Sequence, residues 1–220
     1  MRNEPPAPPD DATRRQLLEA AAAVFAETGF RNATVREICG RAGANIAAVN
    51  YHFGDKEALY AEVLRYAHQK SIEKYPPLQD VGPDAPAEIK LRALVHSLLQ
   101  RIFDQGPKAW HAKLLTREMI EPTKALDSLV EERVRPMFEQ LRKIIAEILK
   151  CPVHDERVRL CSFSVVSQCV FYHHCRPLIH CLFPGQNFEP ATIARLADHI
   201  TRFSLAAMNH FAETKSRKLK

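Results

Sequence analysis

The sequence predicts an all-α fold, with short helices near the N-terminus and longer helices after a proline-rich break. Apolar residues recur at helical spacing along most of the chain, and no pair of alternating segments indicates a sheet. The segment "YPPLQDVGPDAPAE" separates the two regions and predicts a linker at residues 76–87. We therefore expect two helical domains, at residues 12–75 and 88–214.

The first helix is predicted to follow a disordered tail. Residues 1–11 are proline-rich and nearly free of apolar side chains, so their burial cannot offset the entropy lost on ordering. "TRRQ" fits a capping box that starts a helix at Thr13, and Gly29 is expected to end it. The apolar residues at helical spacing between them are Leu17, Ala21, Val24 and Phe25.

Three further helices are predicted in the N-terminal domain from their capping residues. Thr34 opens a second capping box, Asn45 can begin a short third helix, and Asp55 is placed to cap a fourth. The predicted segments are 34–43, 45–52 and 55–75. The core of this domain is expected to include Ile46, Val49 and Phe53.

The C-terminal domain is predicted to contain only helices. Glycine and proline separate five periodic segments, which are 86–105, 107–120, 123–150, 154–175 and 190–213. Pro136 cannot donate a backbone hydrogen bond, so it should kink or divide the third of them. The chain is expected to end in a basic tail at residues 215–220.

Composition narrows the class of protein. Hydrophobic residues make up 46% of the chain and charged residues 26%, as in globular proteins with a substantial core. The formal net charge is +5, but residues 1–75 contain ten basic and ten acidic residues, so net charge alone does not indicate nucleic acid. No apolar run reaches about 18 residues, and the six cysteines form no Cys-x-x-Cys pair. We therefore expect a cytoplasmic protein with reduced thiols and no membrane partner.

Two short helices around a glycine turn, after a longer first helix, are typical of three-helix DNA-binding units. In such units the second short helix enters the major groove. Thr34 would add a hydroxyl to the free amides of a helix start, where a phosphate can bind. Lys56 places a cation at a helix N-terminus, which is unfavourable unless an anion lies nearby.

The stretch "ATVREICGRAGANIAAVNYHFGDKEALYAEVL" closely resembles the N-terminal domain of the TetR family of transcriptional regulators. The resemblance covers residues 13–66 and includes Gly29, Thr34 and Gly43. It implies phosphate contacts from a set of polar side chains, namely Thr34, Tyr51, His52 and Lys56. Many members have two adjacent aromatic residues where this chain has Asn50-Tyr51, so either of these can take the place of the family tyrosine.

The same resemblance implies which residues face the edges of the bases. They are Arg36, Asn45, Ala47, Ala48 and Asn50. Side-chain chemistry agrees in part, because an asparagine can pair with adenine through two hydrogen bonds and an alanine can contact a thymine methyl. No arginine or lysine lies between Arg41 and Lys56, so two subunits acting together are expected to be needed for tight binding.

The C-terminal segment "LLTREMIEPTKALDSLVEERVRPMFEQLRKIIAEIL" resembles the regulatory domain of the CecR (YbiH) subgroup. That resemblance implies control of transport or drug-efflux genes. Segments 154–175 and 190–213 each carry one wide apolar stripe, and two such helices from each of two subunits would form a four-helix bundle. The stripe residues are Val158, Cys161, Val165, Cys169 and Tyr172 on the first helix, and Ile193, Leu196, Ala197, Ile200, Phe203, Ala207 and Phe211 on the second.

A pocket for a small-molecule effector is expected among the helices of the C-terminal domain. Its candidate lining residues are Trp110, Leu114, Arg117, Glu118, Phe138, Phe171 and His174. The sequence therefore predicts a homodimeric repressor that binds an inverted-repeat operator in double-stranded DNA and is released by the effector. Activation in place of repression remains open.

The segment "CVFYHHCRPLIHC", residues 169–181, supports an alternative hypothesis of a metal- or redox-sensing regulator or an enzyme. Thiolate and imidazole groups are preferred zinc ligands, but the spacing of a closed four-ligand site is missing. No nucleophile-base pair, phosphate-binding loop or pair of carboxylates indicates catalysis. We expect no enzyme activity, no catalytic or metal-binding residues and no cofactor.

Overall fold

The computed structural model describes the backbone of residues 9–218 and the side chains of residues 10–213, and this part of the chain is all-α with no strand. It forms two compact units. The first contains the described residues up to Lys70 together with Gln105–Arg133, and the second contains Ser71–Asp104 and the described residues from Val134 onward. No helix in the described part is long and apolar enough to cross a bilayer.

The helices follow one another with short connections. In chain order they are α1 Pro9–Asn32, α2 Val35–Ala42, α3 Ile46–Phe53, α4 Lys56–Lys74, α5 Ala87–Ile102, α6 Trp110–Ile120, α7 Ala125–Leu129, α8 Arg135–Leu149, α9 Glu156–His174, α10 Arg176–Leu182 and α11 Pro190–Lys218. A π-helical turn, Val130–Val134, joins α7 to α8. Helix α8 begins at Arg135, so Pro136 lies in its first turn. This confirms that the predicted 123–150 helix is divided at the proline.

Helix α1 begins earlier than the sequence predicts. It starts at Pro9, so the expected disorder of residues 9–11 and the capping box at Thr13 are wrong, while residues 1–8 lie outside the described part. Proline suits the first position of a helix because its φ is already helical and its missing N–H has no partner there. Asp10 and Asp11 in the first turn also interact favourably with the positive end of the helix dipole.

The predicted caps of the next three helices are confirmed. The Thr34 side chain accepts a hydrogen bond from the Glu37 amide (3.1 Å), and Asn45 accepts one from the Ala47 amide (3.0 Å). The Asp55 carboxylate accepts one from the Ala58 amide at 2.7 Å. Each bond satisfies a backbone N–H that lacks a partner within its helix, and so favours the start of the helix at that residue.

The core of the first unit lies between α1 and the three helices that follow it. The residues of α1 predicted from its periodicity, Leu17, Ala21, Val24 and Phe25, are all fully buried, and so is Ala22. The Phe25 ring meets the edge of the buried Tyr60 ring of α4 at 4.8 Å. Helix α1 also packs against α2, α3 and α6, so α6 belongs to this unit although it follows the predicted linker.

Two adjacent residues of α6 join it to α1 and α4. Arg117 donates from Nε to the carbonyl of Ala26 (3.3 Å) and from Nη2 to the carbonyl of Glu27 (2.7 Å), and so caps the last turn of α1 before its kink. Glu118 is only 1% exposed and accepts the Tyr60 hydroxyl at 2.7 Å. Burial, with the hydrogen bond to Glu118 and its charge, raises the pKa of Tyr60, so the phenol stays protonated as the donor.

The second unit is a helical bundle in which α5 packs against α8, α9 and α11. The stripe predicted on α9 is confirmed for Val158, Cys161, Val165 and Cys169, which are all buried. Of the stripe predicted on α11, Ile193, Ala197 and Ile200 are buried within the chain, whereas Phe203, Ala207 and Phe211 are exposed. Helix α10 was not predicted, since it has only seven residues, and Pro177 lies in its first turn.

Gly29 has a backbone conformation that other residues rarely adopt. Its φ of 80° and ψ of 167° lie in a region used almost only by glycine. A Cβ atom built there would lie 2.9 Å from Nη1 of Arg117, inside the van der Waals contact distance. Glycine can adopt this conformation, so α1 kinks at Gly29. The missing side chain also leaves room for Arg117 to bind the carbonyls of the preceding turn.

We therefore predict that Gly29→Ala lowers the free energy of unfolding by about 1–3 kcal/mol. The strain arises from the positive φ and from the displacement of Arg117. Urea denaturation of the full chain, followed by circular dichroism, measures the loss.

Gly40→Ala is the matched control for this substitution. Gly40 lies within α2, and no atom lies within 4 Å of the position that a Cβ would take there. Alanine should raise stability by roughly 0.5–1 kcal/mol because it reduces the entropy of the unfolded chain. Equal effects of the two substitutions would contradict a conformational requirement at Gly29.

Candidate nucleic-acid interface

The candidate interface is formed by the N-terminal ends of α2 and α3. Thr34 and Asn45 cap these helices with side-chain oxygens, which leaves the Thr34 hydroxyl proton and the Asn45 amide hydrogens available as donors. Both residues are exposed. The helix caps and the outward donors are thus provided by the same two side chains.

One face of α3 is inaccessible and the other is open to solvent. Val49 is fully buried against the first unit, as predicted, whereas Ala47 and Asn50 are exposed and Tyr51 is 76% exposed. Ala48 is half-buried. A helix with a buried anchor and small or polar residues on the opposite side can enter the major groove.

Two of the three predicted core residues in this region differ from expectation. Ile46 is 50% exposed at the first position of α3, so the prediction that it belongs to the core is wrong. Val49 is the one of the three that is fully buried. Phe53 is half-buried, with the Arg14 guanidinium 5.1 Å from its ring centre. Ile46 adds an apolar surface to the outward face that the sequence pattern did not indicate.

His52 is the predicted interface residue that the structure turns inward. Its side chain is 7% exposed, and Nε2 lies 3.6 Å from the Asp10 carboxylate. The rings of Tyr51 and Phe53 lie on either side, at 4.9 and 6.1 Å between ring centroids. The extra N-terminal turn of α1 supplies Asp10, so this environment follows from the early start of that helix. The His52 ring is therefore in contact with protein side chains and has little access to solvent.

Lys56 has a partner that the sequence did not indicate. Its Nζ lies 3.5 Å from the carbonyl oxygen of Arg31 and 4.6 Å from the centre of the Phe30 ring. The ammonium therefore interacts with the C-terminal end of α1, where a cation is favourable. These contacts offset the unfavourable position of Lys56 at the start of α4. A bound anion is not needed to explain that position.

The two arginines of α2 differ in their availability. Arg41 bridges Glu27 (2.8 Å) and Glu37 (3.0 Å), and these interactions raise its pKa and lower that of Glu27. Arg36 is exposed and makes no ion pair or hydrogen bond within the described part of the chain. Arg36 is therefore the basic side chain of α2 that is free to reach a nucleic acid.

The seven residues predicted to bind an effector are divided between the two units. Four of them, Trp110, Leu114, Arg117 and Glu118, lie in the first, and three, Phe138, Phe171 and His174, lie in the second. No cavity within one unit can be lined by all seven. Phe171 is 51% exposed and His174 is exposed on α9, while Leu114 is buried in packing. Trp110 lies near Tyr66 and Phe138 near Phe163.

Each unit has a surface depression. The one in the first unit has a volume of about 210 Å³ and lies beside Gly29, Tyr60, Arg117 and Glu118. It contains two of the predicted effector residues, but both are already engaged in the contacts that hold α6. The one in the second unit is wide and open, with a volume of about 970 Å³, and contains none of the seven.

Burial makes two of the thiols on α9 weak nucleophiles. All six thiols are free, and burial raises the pKa of Cys161 and that of Cys169, the latter to about 12. Thiols with raised pKa values form little of the nucleophilic thiolate. In the described residues no three side chains of histidine, cysteine, aspartate or glutamate converge as metal ligands.

Solved structures share this architecture. AibR in complex with isovaleryl coenzyme A and operator DNA superposes with a TM-score of 0.63 at 16% identity, covering 86% of this chain and 96% of that chain. The fatty acid degradation regulator FadR from Bacillus halodurans has a TM-score of 0.62 at 18% identity, covering 92% and 97%. At such identities the likeness shows the fold alone.

Sequence relatives establish the family. Residues 17–63 match the family of bacterial regulatory proteins named tetR, and residues 87–208 match the C-terminal domain of the HTH-type transcriptional dual regulator CecR. CecR of Shigella flexneri is 31% identical over 168 residues, covering 72% of this chain and 74% of that protein. The repressor KstR2 of Rhodococcus jostii is 36% identical over 102 residues, covering 44% and 49%. The chain therefore belongs to the TetR family of transcriptional regulators and carries a C-terminal domain of the CecR type.

Proposed function

We propose that this regulator is a cytoplasmic homodimer that represses its target genes by binding an inverted-repeat operator and leaves the DNA when a small molecule binds. The observation that carries the proposal is the exposed face of α3, where Asn50 and Tyr51 stand opposite the buried Val49. Transport or drug-efflux genes are the proposed targets.

On the DNA, α3 would lie in the major groove with Ala47 and Asn50 towards the bases. Tyr51 and Thr34 would donate hydroxyl hydrogen bonds to phosphates on either side, and Arg36 would add a free positive charge. His52 serves in this arrangement as a support, because its ring is enclosed by protein. Direct phosphate contact is therefore proposed for Tyr51 rather than His52, and Asn50 is proposed as a base reader rather than as the substitute for the family tyrosine.

Dimerisation is proposed through the outward faces of α9 and α11. Leu160, Phe163 and Phe171 recur at helical spacing on α9 and are each more than half exposed. On α11, Phe203 is 62% and Phe211 44% exposed. Exposed aromatic stripes on two packed helices are typical of interfaces between subunits. A two-fold axis there would present two α3 helices to one operator.

Effector control would follow from a difference in affinity between two conformations. The effector is proposed to bind the second unit and to favour a form whose two α3 helices no longer match the operator spacing. Two similar folds are described as a complex with isovaleryl coenzyme A and as a fatty acid degradation regulator. An acyl compound is therefore the first class of effector to test.

Tyr51→Ala should weaken binding to operator DNA. Loss of about 1 kcal/mol of hydrogen bonding in each of two subunits corresponds to a roughly 30-fold rise in Kd. Footprinting on the DNA upstream of the gene identifies the operator, and fluorescence anisotropy at several salt concentrations then measures the affinity.

Phe183→Ala is the control for this substitution, since it removes another exposed ring from the end of α10. It should leave the affinity unchanged. Wild-type affinity in a folded, dimeric Tyr51→Ala protein would show that the proposed interface is wrong.

Asn50→Ala should relax sequence preference more than it lowers affinity for unrelated DNA. A lost pair of hydrogen bonds to adenine reduces discrimination by about 1–3 kcal/mol at one base pair of each half-site. Competition with operators that carry all four base pairs at each position measures this change. A preference that stays unchanged at every position would exclude Asn50 from base recognition.

Phe163→Glu combined with Phe203→Glu should convert the dimer to monomer at micromolar concentration, because two carboxylates per subunit would be buried in an apolar interface. Analytical ultracentrifugation measures the change. Leu178→Glu, on the exposed side of α10, is the control and should remain dimeric. A double variant that sediments as a dimer would rule out this face.

A further inference from the structure

The second unit contains a buried guanidinium with no anionic partner. Arg101, near the end of α5, is 4% exposed. Nε donates to the carbonyl of Ser97 at 3.4 Å, and Nη1 lies 3.4 Å from Sδ of Met137. Within the described residues it forms no ion pair and Nη2 makes no hydrogen bond. A buried arginine is ordinarily paired with a carboxylate or phosphate, so this charge lacks its usual complement.

Its other neighbour does not supply the missing negative charge. Cys169 of α9 is fully buried, and burial raises the pKa of its thiol to about 12, so the sulfur is neutral at pH 7. Burial lowers the pKa of Arg101 to about 10, which leaves the guanidinium protonated at the same pH. One positive charge therefore remains uncompensated where α5, α8 and α9 pack together.

The surroundings of this charge are apolar. One helical turn from Arg101, Met137 and Cys169 lie Leu98, Leu141, Val165 and Tyr172, all of which form or pack against the core of the second unit. Met137 occupies the position of an acceptor, although a thioether is only a weak one. Its unbranched side chain has several accessible rotamers and can move aside for a stronger acceptor.

We propose that Arg101 is the anchor of the effector site and that the effector is an anion on an apolar body, either a carboxylate or a phosphate monoester. The anion displaces the Met137 thioether and accepts two parallel hydrogen bonds from the guanidinium fork, while its apolar part packs between the three helices. The regulatory meaning of this site rests on the proposed function, but its existence does not.

A link to regulation follows from the place of Met137 in the chain. It lies in the first turn of α8, directly after the π-helical turn and Pro136. A π-helical turn replaces the i→i−4 hydrogen bonds of an α-helix with i→i−5 bonds, and such turns are frequent at functional sites. The chain passes from the first unit to the second at this point.

Thermal unfolding of the full chain with three matched probes tests the chemistry of the ligand. Octanoate and octyl phosphate carry an anion, and octanol has the same chain without one. We expect at least one anionic probe, at about 100 times its Kd, to raise Tm by roughly 5–10 °C, and octanol to raise it less. The stronger anionic probe identifies carboxylate or phosphate as the headgroup. Equal shifts for octanol and both anions, or no shift for either anion, would overturn the proposal.

Variants locate the effect at Arg101. Arg101→Met should retain the Tm of the ligand-free protein, because it removes a buried unpaired charge and keeps a similar volume, but should lose the shift caused by the anion. Arg101→Lys should retain part of the shift, since it keeps the charge but loses the fork. Arg92→Met, on the exposed side of the same helix, should respond like the wild type.

Two results from these variants count against the site. An anion-induced shift that persists in Arg101→Met shows that another residue binds the probe. A large fall in Tm of ligand-free Arg101→Met shows that the guanidinium stabilises the fold through its present contacts. DNA binding, measured separately by anisotropy, tests the proposed function, so loss of operator binding in the wild type leaves the thermal test of Arg101 intact.

Discussion

A single buried carboxylate determines how the first unit is held together. Glu118 accepts the Tyr60 hydroxyl from α4 and, from the loop after α6, the amide and hydroxyl of Thr123 at 3.1 and 3.2 Å. Such an acceptor would destabilise the fold if these donors were absent, because a buried charge without hydrogen bonds is costly. Next to it, Arg117 binds the end of α1. The positions of α1 and α4, and hence of the short helices they enclose, depend on these two residues.

The orientation of the exposed face of α3 is determined by burial of its inner residues more than by charge. Val49 and His52 are enclosed, so the outward residues of α3 have one orientation. Much of the local positive charge is already engaged within the protein, as the ion pairs of Arg41 show. Under the proposed function, affinity would come from the sum over two subunits, and specificity would come from neutral groups such as the Asn50 amide. The second unit shows the reverse situation, since its core retains an arginine that the protein does not neutralise.

Local chemistry in the sequence predicts those features that depend on a few neighbouring residues. The caps at Thr34, Asn45 and Asp55 are of this kind, since a side-chain oxygen reaches an amide two or three residues away. The inward turn of His52 depends on Asp10, which the composition alone places in a disordered tail. The sequence does not reveal the partners of Arg117, because they lie in α1, some ninety positions away in the chain. Arg117 was therefore predicted to bind an effector. The unpaired charge of Arg101 is likewise visible only after three helices have been brought together.

The chain passes between the two units at three points, after Lys70, Asp104 and Arg133. A cut within the predicted linker at residues 76–87 therefore does not release the whole of the first unit. The N-terminal fragment would keep Tyr60 and the last carbonyl groups of α1. It would lose α6, which supplies the hydrogen-bonding partners of both. Recombination between relatives at this linker would pair each recognition helix with a foreign α6. Inherited exchange of DNA specificity in this family should thus favour substitutions on the surface of α3 over exchange of whole N-terminal domains.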